Sequence, residues 1–242
     1  GRVVRCTQCK KPMVAPVIKK KEKSEKKDAE STPQIDVKWF DDLHMHLVVP
    51  TQIKLTPGFA ARPELQAAAI RATETYGAGS GASRLVSGTL AIHEELEAAV
   101  ARAKGYPAAL LFGSGYLASI GCIPPLVGRD DPILADRLVH ACLLDGIALS
   151  GAKLSRFRHN DLEHLEAGLK NSASSKRKLI VTESVFSMDG DFAPLPEIAR
   201  LAEQYGAMLL VDEAHATGTF GPHGVGLVAA HGLQSTVNLS MS

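Results

Sequence analysis

Residues 208–215 read Met208-Leu209-Leu210-Val211-Asp212-Glu213-Ala214-His215, an apolar run ending in two carboxylates with an imidazole three positions beyond Asp212. Four apolar residues that close on a charged pair describe a buried strand, and open α/β folds put ligand chemistry at the carboxyl ends of such strands. An aspartate there suits a cationic cofactor ring, whose electronics a neighbouring carboxylate tunes. Asp212 and His215 are therefore candidate site residues. No lysine follows them: the last is Lys178, and the sequence runs on to Ser242.

The same pattern recurs upstream. Short apolar strands are expected at residues 108–112, 133–135, 154–157 and 179–182, with a further one at 208–211. Helical spacing of apolar residues marks 62–76, 90–103, a segment from Tyr116, 142–150, 162–169 and 195–205. Strands alternating with helices imply an α/β fold, a mostly parallel sheet covered by helices on both faces. There is no internal repeat.

The chain has 242 residues, 45% of them hydrophobic, enough for one large domain or a domain with appendages. A net charge of +1 gives no general attraction to nucleic acid or to a membrane surface, so neither is expected as a partner. No apolar run is long enough to span a bilayer and no signal-peptide core is evident. The first residue is Gly1, which leaves an upstream leader an open question. Cys6, Cys9, Cys122 and Cys142 are too few and too unevenly spaced for a disulfide scaffold, which points to a reducing, cytoplasmic setting. Residues 19–30, KKKEKSEKKDAE, hold six lysines and four acids and no aromatic residue. Such a run reads as a solvated linker rather than a nucleic-acid tail. The organisation expected is a basic, disordered segment and linker at 1–34, a lead-in at 35–61, the main domain at 62–233 and a divergent tail at 234–242.

Several motifs bear on chemistry. Gly77-Ala78-Gly79-Ser80-Gly81 follows a helix rather than a strand, so a dinucleotide loop is disfavoured and a turn is expected, with Arg84 as a possible anion partner. Phe112-Gly113-Ser114-Gly115-Tyr116 opens a helix and presents backbone N–H groups where a phosphate would sit. His140 follows a strand closely and could lie against an aromatic ligand, although a lone histidine is more often structural. Residues 183–190 leave a strand and enter a turn: Glu183 and Ser187 are candidates to meet a ligand, while Ser187 and Asp189 also suit an ordinary turn. Cys6 and Cys9 make half a zinc-ribbon pattern that His44 and His46 could complete only across the charged linker, so no metal site is expected.

Taken together, residues 76–90 (YGAGSGASRLVSGTL), 112–116 (FGSGY), 138–146 (LVHACLLDG), 156–166 (RFRHNDLEHLE), 182–195 (TESVFSMDGDFAPL) and 211–226 (VDEAHATGTFGPHGVG) resemble the α-oxoamine synthases, from about Arg62 to Leu233. These are pyridoxal 5′-phosphate enzymes of the aspartate-aminotransferase fold, fold type I. The resemblance implies that Ser114, Gly115 and Tyr116 hold the cofactor phosphate and that His140 stacks on the pyridine ring. It places Ser187 and His215 near the phenolic oxygen, Glu183 in the same site, and Asp212 on the ring nitrogen. His140, Asp212 and His215 are the residues it makes catalytic. The reaction implied is decarboxylative condensation of an amino acid with an acyl thioester: alanine, glycine and serine all suit it, as do the acetyl- and palmitoyl-transferring members of the family, and the motifs tilt toward alanine and a pimeloyl thioester. A homodimer is implied as well.

The sequence departs from the family in three places. A Schiff-base lysine is expected some tens of residues beyond His215, where the chain reads His231-Gly232-Leu233-Gln234 and runs to its end. The small C-terminal domain with its substrate-binding arginine has no counterpart, and Pro50 to Gly58 lacks the Asn-Tyr-Leu-Gly-Leu type of segment expected before the first helix, residues 1–55 showing no family likeness. Three readings follow: a truncated enzyme unable to condense substrates alone, a lysine-less subunit partnering a catalytic homologue, or a phosphate-binding scaffold.

Overall fold

The computed structural model describes residues 62–242, together with two short N-terminal strands, β1 (Val4–Arg5) and β2 (Pro12–Met13), which pair antiparallel. The linker at 19–30, the lead-in at 35–61 and the Cys6–Cys9 pair expected from sequence lie outside the described residues.

The main unit runs α1 (Pro63–Tyr76), α2 (Ala91–Lys104), α3 (Gly115–Leu126), β3 (Pro132–Asp136), α4 (Ala141–Ser150), β4 (Lys153–Phe157) and α5 (Leu162–Asn171). It continues with β5 (Leu179–Glu183), α6 (Leu195–Tyr205), β6 (Met208–Asp212), a short α7 (Leu227–Ala230) and β7 (Leu239–Met241). Strands β3 to β7 form one parallel sheet in the order β4-β3-β5-β6-β7.

Side-chain alternation along the central strands divides the core in two. Leu134, Ile180, Leu209 and Val211 face α5 and α6, where Leu165, Leu169, Leu195, Ile198 and Leu201 cover them. Ile133, Ala135, Leu179, Val181 and Leu210 face the other way, onto Ala118 and Ile123 of α3 and Cys142, Leu143 and Ile147 of α4. Strands covered on both faces read as continuous apolar runs, as Leu179-Ile180-Val181 does, and β5 is buried from end to end, its polar Thr182 and Glu183 included. Leu210 has no solvent exposure, so Leu210→Ala would cost about 2–5 kcal/mol. At the sheet edge β4 is exposed at four of its five positions and carries Lys153 and Arg156, charges that suit an edge. Helices α3 and α4 cross closely because Gly146 has no side chain: a Cβ there would lie 2.7 Å from the Ser119 carbonyl oxygen.

Two expectations need correcting. Residues 108–112 form no strand. The Leu111 N–H donates to the Glu97 carboxylate at 2.7 Å and its carbonyl accepts from Arg84, so side chains meet backbone groups that a ladder would otherwise need. The tail at 234–242, in turn, continues the sheet: Leu239–Met241 pairs with β6 in parallel register, Asp212 beside Met241.

Candidate active site at the carboxyl end of the sheet

All five strands of the parallel sheet end on the same side, and three adjacent ones end in carboxylates. Asp136 closes β3, Glu183 closes β5 and Asp212 closes β6, all of them buried. Glu183 and Asp212 are direct neighbours in the ladder. Three anions at one end of a sheet are costly unless each is compensated, and the three are treated differently.

Asp136 is fully engaged. It accepts from the Leu138 and Asn160 backbone N–H groups at 2.8 and 2.9 Å and from His159 Nδ1 at 2.9 Å. Glu183 accepts the backbone N–H of His140 at 2.5 Å and that of Ser187, so one side chain gathers the two loops that carry these residues. Burial pushes the Glu183 carboxyl up to about 7, the Asp212 charge adds to the rise, and the two amides oppose it. The Asp212 carboxylate receives one hydrogen bond among the described residues, from the Ala214 N–H at 2.9 Å, and no ion pair reaches it there. Burial raises its pKa, with the Ala214 amide and then the nearby His140 and His215 rings pulling it down.

The histidines and the helix start complete the mouth. His140 caps α4, and its Nδ1 accepts the Cys142 backbone N–H at 3.3 Å while lying 2.9 Å from Cys142 Sγ. With Nδ1 accepting, a neutral ring carries its proton on Nε2. His140, Ser187 and His215 are exposed, on the connections that follow β3, β5 and β6. Ser114 caps α3 by accepting the Leu117 N–H at 3.2 Å, and helix geometry leaves the Gly115 and Tyr116 amides without intrahelical acceptors. One turn on, buried Ser119 reaches Met241 Sδ, at the end of β7 beside Asp212. The start of α3 therefore sits over the carboxyl ends of β6 and β7.

Among the expected residues the ladder and its hydrogen bonds bring together His140, Glu183, Ser187 and Asp212. Arg84 is not an anion site: both guanidinium NH groups grip the Glu97 carboxylate, at 2.6 and 3.1 Å, and NH1 also donates to the Leu111 carbonyl. The glycine loop before it is a turn, with Gly77, Gly79 and Gly81 all at positive φ. Residues missed from sequence are Asp136, His159 and Asp191, which form a second network behind the mouth, and Lys104. Lys104 pairs with Glu213 at 2.8 Å from 109 positions away, a separation that no local motif reveals.

Comparison with known proteins matches the aminotransferase class I and II family to residues 50–241, a span wider at both ends than the motifs from Arg62 to Leu233. The chain is 55% identical over 184 residues to 8-amino-7-oxononanoate synthase of Anaeromyxobacter sp. (strain Fw109-5), an alignment covering 76% of this chain and 46% of the relative. It is similar to the solved serine palmitoyltransferase from S. paucimobilis with bound PLP–myriocin aldimine, at 39% identity and a TM-score of 0.70, covering 74% of this chain and 45% of that one. It is also similar to the solved 8-amino-7-oxononanoate synthase from Francisella tularensis, at 29% identity and a TM-score of 0.60, covering 76% and 48%. The chain spans about half the length of the curated relatives it matches.

Proposed function

The chain belongs to the aminotransferase class I and II family, and from that membership we propose that the carboxyl end of its sheet holds pyridoxal phosphate. The protein in which it serves is proposed to be an acyltransferase that joins L-alanine to a pimeloyl thioester with loss of carbon dioxide, as the name of its 55%-identical relative suggests. Asp212 carries the reading. It is a carboxylate 6% exposed at a strand end, with a single amide partner and no ion pair among the described residues, and a protonated pyridine nitrogen would supply the cation it wants. When bound, the cofactor supplies an electron-withdrawing ring that stabilises a carbanion.

The remaining roles fall to this chain's own residues. Ser114, Gly115 and Tyr116 receive the phosphate at the start of α3, where amides and helix dipole favour an anion. His140 would lie against one face of the ring, and Ser187 and His215 would serve its phenolic oxygen. Glu183 acts one step back, by holding the His140 and Ser187 amides. Neither lysine buried among the described residues serves as a covalent anchor. Lys104 is spent on Glu213, and Lys178 precedes β5, at the opposite end of that strand from Glu183. The 242-residue chain is thus expected to bind the cofactor without a buried covalent link and to leave alanine and pimeloyl thioester uncondensed.

Free thiols at Cys122 and Cys142 fit the reducing, cytoplasmic setting proposed for the reaction. Exposed Leu85, Val86, Leu110 and Met188 suit a homodimer interface. No helix of the described residues is long and apolar enough to cross a membrane.

Titrating the purified chain with pyridoxal phosphate, followed by absorbance and by calorimetry, tests the reading. Saturable one-site binding that weakens at least tenfold, about 1.4 kcal/mol, in Asp212→Asn supports it. Equal affinity of the variant and the parent chain overturns it.

A further inference from the structure

Behind the proposed cofactor mouth lies an imidazole held between two carboxylates. His159 Nδ1 is 2.9 Å from Asp136 Oδ1, and His159 Nε2 is 2.8 Å from Asp191 Oδ2. The ring stands edge-on to buried Phe186, with centroids 4.4 Å apart and planes at 89°. Asn160, held at a φ of 53°, donates from Nδ2 to the same Asp191 oxygen at 3.0 Å and to the Phe192 carbonyl at 3.2 Å. The charged groups facing the ring are Asp136 from β3 and Asp191 from the β5–α6 connection; the polar Asn160 and the Phe186 ring complete its surroundings.

Ionised carboxylates only accept hydrogen bonds. Both ring nitrogens must therefore carry protons for both contacts to be favourable. A neutral ring would set one bare nitrogen lone pair against an anionic oxygen at under 3 Å.

We propose that His159 is a positioning residue: as a doubly donating imidazolium it clamps the β3–α4 connection, which carries His140, to the β5–α6 connection, which carries Ser187. The two loops it ties are the ones that Glu183 holds from inside the sheet. Asp136 also fixes the Leu138 amide two residues before His140, and the Asp191 carbonyl accepts the Phe186 N–H at 3.0 Å, closing the turn that presents Ser187. Burial lowers the affinity of the His159 ring for its proton, but Asp136 and then Asp191 outweigh it and hold the pKa above the ordinary histidine value of 6.5. The sign follows from linkage: the clamp is complete below pH 6.5 and is lost as pH rises through the raised value.

The clamp is a property of the chain by itself. Its relevance to His140 and Ser187 rests on the cofactor reading, and the decisive readouts are taken with no cofactor present. They are the imidazole ¹⁵N NMR shifts of His159 and amide hydrogen exchange, as protection factors, across residues 137–140 and 187–190 from pH 6 to 9. Two protonated ring nitrogens at pH 7 are expected, with loop protection falling at least tenfold at the same pH midpoint as the ring titrates. In Asp191→Ala, which removes the acceptor of His159 Nε2 at a half-exposed position, and in His159→Gln, protection at 187–190 should already be low at pH 6.5 and no longer depend on the ring. If His159→Gln does not fold, the comparison rests on Asp191→Ala. A neutral His159 ring at pH 7, or protection in Asp191→Ala equal to that of the parent chain at pH 6.5, overturns the proposal. Pyridoxal phosphate titrations of the same variants separate the two readings. Tight binding with a neutral ring would sink the clamp alone, and loop protection that follows the ring without any cofactor binding would sink the cofactor reading alone.

Discussion

Two adjacent carboxylates at the end of β6 have opposite surroundings. Glu213, 1% exposed, is compensated on every side: it takes the Lys104 ammonium at 2.8 Å, the Ser240 hydroxyl at 2.9 Å and the Val228 backbone N–H at 2.9 Å. A Cβ at Gly226 would lie 2.5 Å from its Oε1, so the backbone closes over it as well. Asp212, one residue earlier and nearly as buried, has the single Ala214 amide. A closed, charge-balanced network belongs to the fold, whereas a buried anion short of a cation belongs to whatever binds there. Their adjacency explains how a strand end can be rigid and needy at once: Glu213 pins α2, α7 and β7 to β6, and so holds Asp212 in place.

The hardest test of that contrast is to break the closed side. Lys104→Met leaves Glu213 buried without its cation and should cost about 3–5 kcal/mol of folding free energy in urea denaturation. The double variant Lys104→Met with Glu213→Gln should recover most of that loss, and a double variant no better than the single would contradict the ion-pair account.

Next in size is Glu183, whose carboxyl is pushed up to about 7. A raised carboxyl contributes stability that is fully present below its ordinary value of 4.5 and is lost as pH rises from there to about 7. The change amounts to something on the order of 3 kcal/mol. Glu183→Gln should flatten the stability profile across that window, as read from melting temperatures between pH 4 and 8. An unchanged profile would remove Glu183 from the electrostatics of the site.

A smaller effect with an opposite sign sharpens the comparison. Asp212→Asn removes a buried charge whose ionisation is disfavoured, so at neutral pH the chain should be as stable as the parent or slightly more so. The isosteric Glu213→Gln one position on should be clearly destabilised. Equal losses from the two swaps would erase the distinction. Smallest is Ser187→Ala. At an exposed loop position it should leave stability unchanged and weaken pyridoxal phosphate by roughly 0.5 kcal/mol, about two-fold in dissociation constant, checked by calorimetry.

Much of this contrast was legible in the sequence, in unequal parts. Runs such as 179–181 and 208–211 declare buried parallel strands by being apolar at every position, and Asp212 is visible as the residue that ends one. His140 and Ser187 stand out because each follows a strand by a few residues. The segment 108–112 misled because apolarity alone does not separate a strand from a loop whose amide and carbonyl are taken by Glu97 and Arg84. Strand β7 is hard to read because Leu239-Ser240-Met241 is short and interrupted by a serine, whose backbone pairs with Val211 while its hydroxyl serves Glu213. The partners of charges were the least legible. Lys104 finds Glu213, and His159 joins Asp136 to Asp191, across separations that only the finished fold closes.

The central claim, that Asp212 awaits a cationic ring, is tested most directly by ¹⁵N NMR of ring-labelled pyridoxal phosphate bound to the chain. A ring nitrogen that stays protonated at and above neutral pH in the parent chain, and loses its proton in Asp212→Asn but not in Glu213→Gln, is the predicted result. A bound ring that is unprotonated at pH 7 in the parent chain, or protonated equally in all three proteins, would contradict the account.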